Sequence, residues 1–252
     1  MIRDELGSIL RLALRKKLAD YRPESNHMPF HHRLLGADRM ALFSFIQSLN
    51  TTFGTSFYEP LALALAQPRF VQSAQQVKLD AHISDSAQAE ISAIMNGLKA
   101  GHLKPNSAAE TDRLRAVIGQ GTAQKVKLTQ IDVFLVNATD VYAFDVKTPK
   151  PNMGEIEKLK RMLLEWKCVL LAQFPNHQIH TALAFPYNPY APAPYARWTV
   201  AALIDADAEI YVAEEFWDFV GGEGSYPLLL DVFEQVGQEL RPELDAKFAQ
   251  FR

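Results

Sequence analysis

Two short segments carry residue types suited to phosphodiester chemistry. Gln130-Ile-Asp132-Val-Phe-Leu and Tyr142-Ala-Phe-Asp145-Val-Lys147 each read as a β-strand, and the polar turn at residues 137–140 joins them into a hairpin. Side chains alternate faces along a strand, so Asp145 and Lys147 share a face, while Tyr142, Phe144 and Val146 form an apolar one. Asp132 sits between Ile131 and Val133 on the partner strand. A carboxylate in so apolar a strand is costly unless a partner or a metal compensates it. Two carboxylates and a lysine converging there suit a hard divalent cation such as Mg2+, held through oxygen by Asp132, Asp145 and the Val146 carbonyl. Such a metal polarises a phosphate and lowers the pKa of a bound water. Lys147 would touch that water and a non-bridging phosphate oxygen, offsetting charge that builds up in the transition state. The reaction expected is in-line hydrolysis of a phosphodiester.

An acid-x-Lys triplet alone says little, because the chain holds three: Asp145-Val-Lys147, Glu165-Trp-Lys167 and Asp245-Ala-Lys247. The last two fall in helical patterns, where positions i and i+2 diverge by about 200°, and read as solvated helix charges. Only the first combines an apolar strand, a hairpin partner with an embedded Asp, and a following helix. The plain alternative is a salt bridge between Asp145 and Lys147 on an edge strand, with Asp132 capping something local.

The surrounding elements follow from periodicity. Apolar residues recur at helical spacing over residues 2–19, 38–49 (Met40, Phe43, Ile46 and Leu49), 61–66 and 84–101. A short helix follows at 108–118. Residues 21–35 read as irregular, 50–56 as a polar turn, and 70–83 as partly strand. From residue 125 the character changes. Strands are expected at 126–136, 141–147, 179–185 and 198–204, with an amphipathic helix at 154–174 whose stripe is Ile156, Leu159, Leu163, Trp166 and Leu170. Helices return at 214–220 and 228–251. The fold class expected is α/β (α+β): a central mixed sheet flanked by helices, with a helical N-terminal part, in a single domain.

Composition narrows the function. The chain has 252 residues, 48% hydrophobic and 22% charged, with 26 basic and 29 acidic residues and a formal charge of -3. A histone-like binder is excluded, and any nucleic-acid contact must be local. The one cysteine, Cys168, rules out an intrachain disulfide and fits a reducing cytoplasm. No apolar run approaches the roughly 18 to 20 residues that cross a bilayer. No Gly-rich phosphate loop or nucleophile elbow supports a small-molecule enzyme.

The arrangement Ile131-Asp132 … Asp145-Val-Lys147 on a hairpin followed by a helix resembles the PD-(D/E)xK nuclease superfamily, with Ile131 in place of the usual Pro. More narrowly, the chain resembles the TdeIII-type type II restriction endonucleases. That resemblance rests on Phe144-Asp-Val-Lys147-Thr-Pro-Lys150-Pro-Asn152, on Leu34-Leu-Gly-Ala-Asp38-Arg39-Met40, and on the stretch from Ser48 to Glu59. It implies a Mg2+-dependent endonuclease that cuts double-stranded DNA at a GGNCC-like site and leaves 5′-phosphates. It also implies a homodimer whose two-fold symmetry mirrors that of the target, with a cognate methyltransferase as genetic partner. The superfamily often adds an acid from a helix before the hairpin, and Glu59 matches best. Its plain alternative is an acid favoured by a helix dipole. A structure-specific repair nuclease and a non-catalytic DNA-binding module of the same fold are the rivals.

DNA contacts are expected from Lys150 and Asn152, directly after the site, and from Arg33 and Arg39 in a segment that also holds His27, His31 and His32. The Pro-rich loop 186–197 adds Asn188 and Arg197, residue types that read adenine and guanine by bidentate pairing. The helix bearing Lys158, Lys160, Arg161 and Lys167 reads as an ordinary solvated face with i,i+4 pairs.

Overall fold

Two hydrophobic periods, 3.6 and 2, organise the chain, and the computed structural model realises both. It describes residues 2–22 and 28–249, apart from the side chains of Ala37 and Asp38. The N-terminal helices are α1 (Ile2–Asp20), α2 (Pro29–Leu35), α3 (Ala37–Phe53), a π-helical turn (Gly54–Tyr58) and α4 (Glu59–Ala66). Then come β1 (Gln72–Val77), β2 (His82–Ser84), α5 (Asp85–Lys99), α6 (Ser107–Val117), β3 (Ala123–Lys125), β4 (Ile131–Val136) and β5 (Asp140–Val146). The chain continues through α7 (Met153–Gln173), β6 (Gln178–Phe185), α8 (Trp198–Ala201), β7 (Ile210–Val212), α9 (Glu214–Gly221), α10 (Ser225–Glu239) and α11 (Arg241–Ala249). The expected class holds: a mixed sheet flanked by helices, with a helical N-terminal part. The chain forms two compact units, residues 66–222 and residues 1–65 with 223–252.

In the 66–222 unit the sheet order is β1-β4-β5-β6-β7. The β1/β4 and β4/β5 pairs are antiparallel, and the β5/β6 and β6/β7 pairs are parallel. The parallel β5/β6 pair needs a crossover, which α7 supplies. Ile156, Leu163, Trp166 and Leu170 of its expected stripe are fully buried. Asn152 starts α7 with a capping box: its side chain accepts from the Glu155 N–H at 3.0 Å, and the Glu155 carboxylate accepts from the Asn152 N–H at 2.7 Å. This cap fixes where the turn after β5 ends.

Two lysines of α7 depart from the solvated-face reading. Lys160 and Lys167 are completely buried. Lys160 Nζ donates to Glu110 of α6 and, at 2.6 Å, to Glu209. Lys167 donates to Ser107 Oγ at 2.7 Å and lies 3.8 Å from Glu209. Burial pushes the Lys167 pKa down and that of Glu110 up. The charges were legible, but nothing in the sequence told which face of a helix packed on both sides they would occupy. Lys160→Met takes from buried Glu110 its ammonium partner and leaves Glu209 only the more distant Lys167. It should cost about 3–5 kcal/mol, read as a lower midpoint in chemical denaturation.

Other expectations change. Residues 198–204 form α8 and a following turn, and Val200, Leu203 and Ile204 bury at helical spacing. The strand in this region is instead the short β7, further along the chain. Of the strand expected over 126–136 only residues 131–136 form one, β4, while residues 126–130 are not strand and the short β3 ends just before them at Lys125.

In the other unit, the expected polar turn at 50–56 is helical throughout. Thr51 and Thr52 turn their hydroxyls back onto the Ser48 carbonyl, so polar side chains are absorbed without breaking the helix. Residues 29–35, expected to be irregular, form α2, and His27 lies outside the described residues. The stripe of α3 also turns: Phe45 is buried against Leu18 and Tyr21, while Phe43 and Ile46 are exposed. Arg11 and Arg15 of α1 pair with Glu239 and Glu243.

Candidate active site

The hairpin brings Asp132, Asp145 and Lys147 together. Lys147, just past the end of β5, has its Nζ 2.9 Å from Asp145 Oδ1 and 3.8 Å from Asp132 Oδ2. Its backbone N–H continues the parallel ladder by donating to the Ala184 carbonyl at 3.0 Å. The Val146 N–H leaves the ladder and donates to Asp132 Oδ2 at 2.8 Å. Asp132 Oδ1 accepts from Gln76 Nε2 of β1 at 3.1 Å. The site is therefore assembled by β1, β4 and β5.

Burial grades the three side chains. Asp145 is 3% exposed, Asp132 14% and Lys147 42%. Desolvation pushes the Asp145 pKa up to about 6; Lys147 pulls against this and the Asp132 carboxylate adds to it. One oxygen of Asp145, Oδ2, is buried and accepts no hydrogen bond. Buried acceptors without a partner are rare in folded proteins. An oxygen-only donor set with an unsatisfied carboxylate oxygen fits a hard divalent cation. Among the described residues no group of three or more Asp, Glu, His or Cys side chains gathers for a metal. A cation here would complete its shell from the Val146 carbonyl, water and phosphate oxygens.

The loop after Lys147 is held from outside. Tyr195 Oη donates to the Pro149 carbonyl at 2.8 Å, and Arg197 Nε donates to the Pro151 carbonyl at 2.8 Å. Lys150 Nζ stands 5.4 Å from the Tyr190 ring centroid. Burial pushes the Tyr195 hydroxyl up to about 12, so it stays a donor at neutral pH. The Pro-rich loop thus braces the turn that carries Lys147, a role its prolines and tyrosines did not disclose. Its Asn188 bonds within the loop, to the Ala193 carbonyl and the Tyr190 N–H. Lys147, Pro151 and Lys158 are among the residues lining a recess of about 150 Å³ beside the site.

The remaining candidates are placed as follows. Lys150 and Asn152 are exposed, with the Asn152 side chain engaged in the α7 cap. Arg33 lies exposed on α2, and Arg39 on α3 donates to the Leu35 carbonyl at 2.9 Å. Glu59 belongs to the helical unit, in the first turn of α4 after the π-helical turn, and is 2% exposed. Gln76 was missed. It is one of three glutamines in the polar edge strand β1, so its type gives no sequence signal, and only the β1/β4 register, with Gln75 opposite Val133 and Val77 opposite Ile131, brings it to Asp132.

The family model described as the type II restriction endonuclease HinfI matches residues 1–237. The type II restriction enzyme MjaII of Methanocaldococcus jannaschii is 27% identical over 88% of this chain, and the chain spans 65% of that enzyme's length. HgiCII of Herpetosiphon aurantiacus is 23% identical over 91% of this chain and 85% of its own length. HgiEI from the same organism is 25% identical over 88% and 81%.

Proposed function

Because the chain belongs to the HinfI type II restriction endonuclease family, we propose that it hydrolyses phosphodiesters of double-stranded DNA at a specific sequence, with Mg2+, leaving 5′-phosphates. The observation that carries this reading is the Asp132–Asp145–Lys147 cluster with its unsatisfied Asp145 oxygen. The restriction-endonuclease expectation stands, under the HinfI family description. The GGNCC-like target stays attached to the sequence resemblance.

Within this reading, Asp132, Asp145 and the Val146 carbonyl hold the cation. When bound, it supplies Lewis-acid activation of the phosphate and of a water. Lys147, half-exposed and anchored on Asp145, holds its ammonium where water and a phosphate oxygen can reach it. The braced turn keeps Lys150 near the phosphates of the duplex. The recess lined by Lys147, Lys158 and the Glu155 carboxylate lies where a flanking phosphate could meet the two lysines.

Each chain carries one such cluster, and a near-palindromic target has two strands to cut, so the active form is a homodimer. Exposed Phe30, Leu34, Leu42, Phe43 and Ile46 of α2 and α3 form an apolar surface suited to a second copy. No described helix is long and apolar enough to cross a membrane. A cytoplasmic location and a methyltransferase partner belong to the same proposal.

The test is digestion of unmodified phage DNA with Mg2+ and with EDTA, followed by sequencing of the fragment ends. Discrete fragments with one shared end sequence and 5′-phosphates, lost in EDTA, are expected. Fragments without a common sequence, or cutting confined to flaps and nicks, would overturn it. Glu59→Gln in the same assay tests Glu59 as a further acid: lost cleavage at unchanged stability assigns it, and unchanged cleavage removes it.

A further inference from the structure

Gln76 stands in an improbable backbone. Its neighbours pair normally across the β1/β4 ladder, Gln75 with Val133 and Val77 with Ile131. Gln76 itself has φ 54°, in the left-handed region that L-residues with long side chains rarely adopt. Glycine or asparagine would suit that conformation better. Local preference therefore does not explain a glutamine here. Strain of this kind persists where the surroundings demand it, and such places cluster at functional sites.

The glutamine's side chain reaches Asp132. In an antiparallel pair with this register, residue 76 lies opposite residue 132. Gln76 Nε2 donates to Asp132 Oδ1 at 3.1 Å, while the Val146 N–H holds Asp132 Oδ2 at 2.8 Å. The two oxygens are thus fixed from two different strands, β1 and β5. A carboxylate held at both oxygens cannot rotate about its last bond, yet each oxygen keeps a further lone pair for a cation. The donor on the β1 side is neutral. It orients the carboxylate without cancelling the charge a metal needs, as a lysine or arginine there would.

We propose that Gln76 is a positioning residue of the metal cradle, its amide holding the Asp132 carboxylate in the orientation that a divalent cation requires. The inference rests on the metal-site reading above and extends it to a third strand. Partners of this kind, one bond removed from the metal, change metal affinity or activity by about 10–100-fold when lost.

The test uses Ca2+ as probe metal, titrated calorimetrically into the full-length protein, with the metal-free unfolding midpoint measured alongside. The variants are Gln76→Gly, Gln76→Asn and Asp145→Asn. Gln76→Gly removes the amide and relieves the positive φ. Its unfolding midpoint should match or exceed the parent's, while Ca2+ binding weakens about tenfold. The Mg2+ concentration giving half-maximal cleavage should rise by a similar factor. Gln76→Asn tolerates the backbone but is one methylene short, so it should not restore affinity. Ca2+ binding by Gln76→Gly within twofold of the parent would overturn the proposal. So would an affinity loss that tracks a falling unfolding midpoint, because Gln76 would then only be part of the sheet. If the parent binds no Ca2+, or Asp145→Asn binds it equally well, the metal-site reading itself fails, and the proposal with it.

Discussion

Asp145→Asn should abolish cleavage and at the same time stabilise the metal-free protein at neutral pH. The first effect follows from removing an anionic oxygen from the cluster. Metal activation of a phosphate and its water is worth several kcal/mol, so a loss of more than about 10³-fold in rate is expected. The second effect follows from burial. The Asp145 carboxyl titrates near 6 in the fold, against about 3.9 in an unfolded chain. The native state therefore holds this proton more tightly than the unfolded state does. Below pH 4 the group is protonated in both states and carries no penalty. As pH rises from 4 to 6 the unfolded chain releases the proton first, and stability falls; above 6 the full penalty applies. It amounts to about 3 kcal/mol for a shift of about two pH units. Asparagine has the same shape and no charge, and Lys147, half-exposed, is left to water. Parent and variant should thus unfold alike at pH 4, diverge up to pH 6 and stay apart above it. Denaturant titrations at these pH values check the stability half, and plasmid cleavage checks the other. Cleavage within tenfold of the parent would remove Asp145 from the metal site.

That a destabilising carboxylate sits in the middle of a sheet explains why this part of the site was legible. Asp132 and Asp145 interrupt runs of apolar strand residues, and such an interruption needs a reason that side-chain chemistry can supply. The hairpin and the long helix after it were legible for a related cause: period-2 and period-3.6 patterns there run long enough to exclude each other. Where patterns are short, tertiary contacts decide. Val200, Leu203 and Ile204 fit a helix as well as a strand, and the packing of α8 settles it. Lys160 and Lys167 look like any surface lysines until Glu110 and Glu209 arrive from distant segments. Arg197 is expected to read bases by residue type, and its Nε donates to a backbone carbonyl in the turn that follows Lys147. Long-range partners of this sort leave no trace in local spacing, which is also why Gln76 could be found only through strand register.

Lys147→Ala should separate catalysis from binding. Its ammonium is tied to Asp145 at 2.9 Å and reaches Asp132 only at 3.8 Å, so it leans on the acid pair from the solvent side. With 42% of the side chain exposed, it can exchange contacts with water and phosphate at little desolvation cost. Removing one preorganised donor aimed at developing negative charge costs about 10²–10³-fold in rate. Duplex affinity rests on many phosphate contacts, so losing one should lower the salt slope by no more than about 1. The variant should therefore bind target DNA nearly as the parent does and cleave it 10²–10³-fold more slowly in single-turnover assays. Lys147→Arg should not rescue the rate, because a planar guanidinium cannot place a compact ammonium between two carboxylates and a water. The opposite pattern, parental cleavage at saturating enzyme with affinity lost, would make Lys147 a phosphate clamp. The nucleophile would then have to be oriented by Asp132 and Asp145 alone.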